Sequence, residues 1–471
     1  MSAETPPYPG RSWWLLEALE EDPGEPCPPL LADIEADVVI VGGGYTGLWT
    51  AHNLLELSPG LRVVILERDI CGGGPSGRNG GFVNGFWTYL GEHVELFGAE
   101  RALALARAGE RSVVELGEWC ERHDVDAWYV RKGELAAATS PAQDGRWHGM
   151  VDVARRLGVG DRALELSPDD VRARLVLPHR SGGMLVRESA TVQPARLARG
   201  LRRVVHEQGA RIYETTPARR LRAGDPSVLY TPGGSVTAGT VVLATNAWLA
   251  SLPALRSRLT VRGSYIVLTA PAPERLAEIA WTGGESLWNY RSAVNYVRTT
   301  RDGRIAFGTG GMQPGLGTRV DPSFDWDARL VAEVARQFRR MFPSFQAVPL
   351  EAAWGGPIDV SGAHLVFVDE LAPGRVHVAA GYTGNGVGPC HLVGKILARR
   401  TLGIDDELTR LPIVGFRPKG FPPEPLRSLG GLMVNEAVLR LCAAEDVGAT
   451  VGPATSFAAR LPRRLGYLLG P

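Results

Sequence analysis

Gly42, Gly44 and Gly47 stand in a G-x-G-x-x-G spacing, between the apolar run 37–41 and a helix-forming stretch, 45–57. The chemistry that such a spacing serves is the binding of a dinucleotide pyrophosphate. The first glycine permits a tight turn, the second lets the pyrophosphate approach the backbone, and the third lets helix and strand pack closely. Tyr45 and Thr46 open the helix, whose free N–H groups and positive dipole end then face the phosphates. A second apolar run, 62–66, delivers Glu67 twenty residues after Gly47, with Arg68 beside it. A carboxylate there accepts bonds from ribose hydroxyls. The order strand, turn, helix, strand, acid separates a dinucleotide site from a glycine-rich loop between unrelated elements. It leaves NAD and FAD both open.

The segment 71–81 continues with six glycines, among them Gly77, Gly80 and Gly81, around Ser76, Arg78 and Asn79. Such a loop offers backbone donors and a guanidinium to a long anionic ligand. Its sequence, ERDICGGGPSGRNGG from Glu67, resembles the GASGRNGG segment of amine oxidases similar to gamma-glutamylputrescine oxidase. These belong to the D-amino-acid oxidase and glycine oxidase superfamily of flavoproteins. The resemblance covers most of 37–402 and implies FAD, which composition and periodicity do not.

The elements that must position these residues follow along the chain. Residues 182–221 read as strand, helix, strand, with Pro194 in the first helical turn. The resemblance places the backbone near Ala218 against adenine, and an ordinary βαβ element is an equal alternative. TVVLATNAW, 240–248, resembles a second cofactor-side strand, with Thr245 beside the diphosphate. The segment 376–402, strand, glycine-rich turn and helix, resembles the last βα unit of these oxidases. There Gly381, Thr383, Gly384, Asn385, Gly386 and Val387 would bring a helix N-terminus to the flavin pyrimidine ring, where a dipole stabilises negative charge. Between these segments, 259–270 and 287–308 alternate as antiparallel strands, with Asp302 and Gly303 as a hairpin turn.

The expected fold is α/β: a Rossmann-type FAD-binding domain with an α+β substrate domain built on a mainly antiparallel sheet. The FAD-binding domain is discontinuous, 36–90, 186–250 and 355–403. The substrate domain takes 91–185 and 251–354, with a strap at 1–35 and a tail at 404–471. Helices are expected over 95–123, 147–157, 168–175 and 325–342, and a strand over 128–138.

The chain departs from these relatives where they grip substrate. D-amino-acid and glycine oxidases carry a carboxylate-binding arginine in a W-x-G-x-R-P-like segment, whereas AAWGGPID has Gly356 before Pro357. Arg298 and Arg291 are the candidate replacements, since a guanidinium binds a carboxylate at two points. Tyr265 and Tyr296 lie on strands expected over the flavin, as pocket residues or as ordinary core tyrosines. No cysteine lies near Trp354, where sarcosine oxidase relatives attach flavin, so the FAD is expected to be non-covalent. Those relatives place a lysine used toward oxygen where Ala306 stands, which leaves oxidase and dehydrogenase both open. His391 is expected to pack a helix, and Cys71 and Cys390 to be small buried thiols.

Composition bounds the rest. The 471 residues balance 51 Lys+Arg against 51 Asp+Glu, which gives no pull toward nucleic acid or an anionic membrane. Five scattered cysteines form no metal or disulfide pattern, and no apolar run approaches a membrane span. The N-terminus has no signal-peptide pattern, so a cytoplasmic protein is expected; nothing predicts its oligomeric state. No metal site and no Ser/His/Asp order is present. The resemblance implies oxidation of a C–N bond in a small amine or amino acid by hydride transfer to flavin N5. The resulting imine hydrolyses, and molecular oxygen is a candidate acceptor. The alternatives are a flavin dehydrogenase using another acceptor or a C–OH substrate, and a non-catalytic or NAD-using Rossmann protein.

Overall fold

Ile34–Val41 is buried along most of its length, so it has to sit inside a sheet, and it does. A computed structural model describes residues 5–468; the outermost ends of the expected strap and tail, 1–4 and 469–471, lie outside the described residues. Ile34–Val41 pairs in parallel with Val63–Leu66 on one side and Ser235–Leu243 on the other. Arg211–Tyr213 extends the sheet beyond Val63–Leu66, and Val376–Ala380 extends it beyond Ser235–Leu243. Phe367–Ala372 runs antiparallel along that edge. The helices Tyr45–Leu57 and Val387–Thr401 pack so closely that a Cβ on Gly394 would collide with Trp49, which is fully buried.

The second sheet runs in the order Leu350–Ser361, Leu259–Thr269, Ile305–Pro314, Asn295–Thr299, Ser286–Asn289, Glu134–Ala137, Gly183–Val186, Ala163–Leu166. Only the pairing of Ser286–Asn289 with Glu134–Ala137 is parallel. Strand alternation divides its faces. Tyr265, Val267, Val297 and Phe307 pack under the amphipathic helix Ala328–Met341, which Asp327 caps by accepting from Leu330 N–H at 3.0 Å. Ser264, Ile266, Tyr296 and Trp288 face the other way, toward the first sheet's glycine turns.

Several expectations are revised. The helix over 95–123 is two helices, Leu90–Phe97 and Ala99–Arg122, broken at Gly98 with φ +79°. The strand over 128–138 shrinks to Glu134–Ala137, because Trp128 takes φ +51°. Residues 355–361, expected with the nucleotide half, are hydrogen-bonded into the second sheet, since Leu350–Ser361 pairs with Leu259–Thr269 along its length. In the strap, Ser12 caps Trp13–Glu21 and donates to Gly77 O at 2.5 Å. In the tail, Leu426–Glu445 packs against Ile305–Pro314.

Candidate active site

A cavity of about 320 Å³ opens between the glycine turns of the first sheet and the free face of the second. The first turn is sterically demanding. Gly42 has φ +113°, and a Cβ on Gly47 would strike the carbonyl of Gly42. Glu67 folds back to accept from Gly43 N–H at 2.8 Å and Asp69 N–H at 2.9 Å. Ser76 Oγ accepts from Tyr45 N–H at 2.8 Å, and Thr46 Oγ1 lies 2.7 Å from the Tyr382 hydroxyl. Thr245 stands beside Gly42. Arg68 stacks on the Trp248 ring, 3.9 Å from its centroid. Ala218 is half-buried and packs on the apolar core of the first sheet. The chain just before it runs along Glu67 and Asp69, whose carbonyls accept from Thr216 and Thr215 N–H.

In the 71–81 loop, Ser76, Arg78, Asn79 and Gly80 line the cavity with Tyr45. The guanidinium of Arg78, expected to be offered to an anionic ligand, is instead paired with Asp325 and donates to Gly73 O at 3.0 Å. Asn79 shapes the loop. It donates to Ser76 O at 2.9 Å and accepts from Gly81 N–H at 2.7 Å. Gly77 packs on Gly72 O and Gly81 on Val192 O, leaving no room for side chains.

The third turn hangs on Asp359. Its carboxylate accepts from Gly381 N–H at 2.5 Å and Asn246 Nδ2 at 3.1 Å, while its carbonyl accepts from Thr383 N–H at 2.9 Å. Burial pushes this carboxyl up to about 7. The turn it holds brings Thr383, Gly384, Asn385, Gly386 and Val387 to the cavity, at the start of Val387–Thr401. Gly381 sits behind them at φ +82°, packed on Ser361.

The sheet face divides the expected substrate residues. Tyr296 lines the cavity, with its hydroxyl 2.6 Å from Ser264 Oγ. Tyr265 is one residue out of phase: it points under Ala328–Met341 and bonds Gln313 and Ser323 O. Arg298 lies beyond Tyr296 under the strap, where carbonyls of Val192 and Gly81 accept its N–H groups and Trp14 covers it. Arg291 is drawn to Gln337 and Asp446. Neither arginine reaches the cavity.

Three charged residues that sequence reasoning passed over reach it: Asp359, Arg262 and Glu134. Arg262 shares the cavity-facing register of Thr260, Ser264 and Ile266, a signal that the period-2 pattern held once the strand's faces were known. Glu134 is 3% exposed and accepts from Asn84 Nδ2 at 3.0 Å. Burial pushes its carboxyl up to about 7, against Asn84 and Trp288, which hold it down. His391 packs a helix, 2.5 Å from Ser112 Oγ and edge-on to Trp49, and burial lowers it to about 3. Burial drives the Cys71 thiol well above the usual range and Cys390 up to about 12. Among the described residues no His/Cys/Asp/Glu group could hold a metal, and no helix is long and apolar enough to cross a membrane.

These features fit FAD. Only Ser76 lies within 4 Å of a Cβ built on Gly44, so the cradle at the helix start is one that a larger side chain would fill. A second helix N-terminus opens into the same cavity at Gly386.

Comparison with known proteins agrees. The chain matches the family described as DAO, FAD dependent oxidoreductase, over residues 37–400. It is 30% identical to the probable oxidoreductase OrdL of Rhizobium meliloti, covering 87% of this chain and 92% of that one. It is 29% identical to gamma-glutamylputrescine oxidoreductase of Escherichia coli, covering 80% and 86%. The crystal structure of glycine oxidase from Geobacillus kaustophilus has the same fold, with a TM-score of 0.63 at 24% identity over 79% of this chain and 96% of that one. With its glycine turns and helix N-termini converging on one cavity, and the family match running through all of them, the chain belongs to the DAO family of FAD-dependent oxidoreductases.

Proposed function

We propose that this enzyme oxidises a C–N bond in a small amine or amino acid, with FAD held non-covalently. The cavity supports this reading, because it sets a dinucleotide turn and a helix N-terminus opposite a sheet face bearing a buried, proton-accepting carboxylate, Glu134. The relatives point the same way: one is a gamma-glutamylputrescine oxidoreductase and another a glycine oxidase. When bound, FAD supplies the hydride acceptor, N5, for the C–H next to the substrate nitrogen.

The chain's residues do the rest. Gly386 and Val387 open the helix Val387–Thr401 at the cavity, where its N-terminal N–H groups and positive dipole end would stabilise negative charge on bound FAD. Asp359 fixes that turn and the neighbouring Asn246. Ile266, Trp288, Val294 and Ile358 give the cavity apolar walls that exclude water from the reacting carbon. Hydride leaves only an unprotonated amine, and Glu134, with its carboxyl near 7, can take the proton from the substrate ammonium. Tyr296 and Ser264 offer hydroxyls to the substrate. The oxidised C=N product then hydrolyses to a carbonyl and ammonia or an amine. The Cys390 thiol at the cavity and the Cys71 thiol buried away from it are both pushed up by burial, which suits a dissociable cofactor.

The test is product analysis. Acid precipitation should release FAD into the supernatant, and incubation with an amine panel should yield a carbonyl with matching ammonia or amine. A carbonyl formed only from C–OH substrates, with no nitrogen released, would overturn the reading.

A further inference from the structure

Among the described residues, Arg262 is the arginine of the cavity that no acid answers. Both of its hydrogen bonds leave from one terminal nitrogen, Nη2, which donates to Gly311 O and to Asn435 Oδ1, each at 3.0 Å. Neither carboxylate lining the cavity meets it. Asp359 is engaged by Gly381 and Asn246, and Glu134 by Asn84. The cavity's other arginine, Arg78, has Asp325. Burial alone acts on Arg262 and pulls its guanidinium down to about 10, so it remains charged at neutral pH. Half-buried in the cavity wall, it presents to whatever the cavity holds a charge that no acid already offsets, and an anion there would be favoured. Arg298 makes the contrast: it is buried where Arg262 is half-buried, and carbonyls take its N–H groups from Nε and Nη1.

Asn435 makes the position a built one. Its Nδ2 donates to Met312 O at 3.2 Å, which fixes the amide so that Oδ1 faces Arg262. It belongs to Leu426–Glu445, beyond the 37–400 stretch that matches the family, and Val438 on the same helix lines the cavity. The helix is pinned at its end by Glu445 on Arg146 at 2.5 Å and by Asp446 on Arg291 at 3.0 Å. The tail is thus a wall of the site.

We propose that Arg262, oriented by Asn435, binds a carboxylate of the substrate through its second terminal nitrogen, Nη1, so that the preferred substrates are amines that also carry a carboxylate. The proposal rests on the amine-oxidising reading, and its test separates the two. The holoenzyme is titrated with propionate while the flavin absorption is followed, and turnover is compared within matched pairs: alanine of either hand with ethylamine, 4-aminobutyrate with propylamine. The expected result is a carboxylate preference in wild type. Arg262→Gln should weaken propionate binding and raise KM for the carboxylated member by roughly 10- to 100-fold, far more than for its plain-amine partner. Arg262→Lys should retain part of the affinity, and Asn435→Ala should lose several-fold. Wild type that prefers the plain amines would overturn the proposal, as would Arg262→Gln with propionate binding intact or with both pair members slowed equally. If no amine of either kind is oxidised, the amine reading fails while the propionate titration still decides Arg262. If Arg262→Gln does not retain flavin, Arg262→Lys and Asn435→Ala carry the same test.

Discussion

The two walls of the cavity are made of different material. The wall belonging to the first sheet is mostly backbone: the helix start at Tyr45, set by the turn from Gly42 to Gly47, then Thr383 to Val387, with Asp359 and Ser76 holding the turns. The opposite wall is side chain: Arg262, Ser264, Tyr296, Trp288 and Glu134, set on strands whose other face is an apolar core. A backbone wall binds what is common to a family, and it depends on glycines that cannot be replaced. A side-chain wall can change its chemistry residue by residue without disturbing the sheet beneath, and there specificity is decided.

The comparison can be broken most severely at Gly47. A Cβ there meets Gly42 O and the Ile40 side chain, so Gly47→Ala should force the helix off the strand. The expected result is protein without flavin, destabilised by about 3 kcal/mol, read from the absorption spectrum and a thermal melt. Full flavin content would mean that the turn is not the cofactor's cradle.

On the side-chain wall the effect should be kinetic. With a carboxyl near 7, Glu134 is a proton acceptor above that pH and not below it, so kcat/KM for an amine should rise with pH through a midpoint near 7. In Glu134→Gln that limb should vanish and activity at pH 8 fall roughly 100-fold, with flavin content unchanged. A pH profile superimposable on that of wild type would remove Glu134 from proton transfer.

Asp359 gives a smaller effect, on stability. Folded, it keeps its proton up to about 7; unfolded, it loses it near 3.8. Between those values the folded state binds the extra proton, so its contribution falls as pH rises through the window. Asp359→Asn lacks this dependence. Its stability relative to wild type should therefore climb by about 1 kcal/mol per pH unit from pH 4 to 7 and then level off. Urea denaturation of the apoprotein across that range checks it, and a difference flat with pH would contradict the assignment.

How much was legible in the sequence follows from the same division. Glycines at a strand-to-helix turn announce themselves, because a tight turn and close packing exclude other residues at fixed spacing. The turns of the backbone wall were therefore readable from 37–81 and 376–402. The side-chain wall was not, because a strand residue's role depends on which face it takes. Tyr265 and Ser264 differ by one position, and they face helix and cavity respectively. Arg298 shares the face of Tyr296 but lies under Trp14, a contact made by the distant strap. Arg78 found Asp325, 247 residues away, and Arg262 found Asn435, 173 residues away. Local pattern carries no information about such partners.

The most direct measurement is the visible spectrum of the purified protein, followed under nitrogen as amines and amino acids are added. The account predicts a flavin band that one class of amine bleaches, with carboxylated members acting at the lowest concentrations. Readmitting air then shows whether oxygen takes the electrons. A flavin band unmoved by every amine, yet bleached by a C–OH compound, would contradict the proposed reaction. No flavin band even after FAD is added would contradict the site itself.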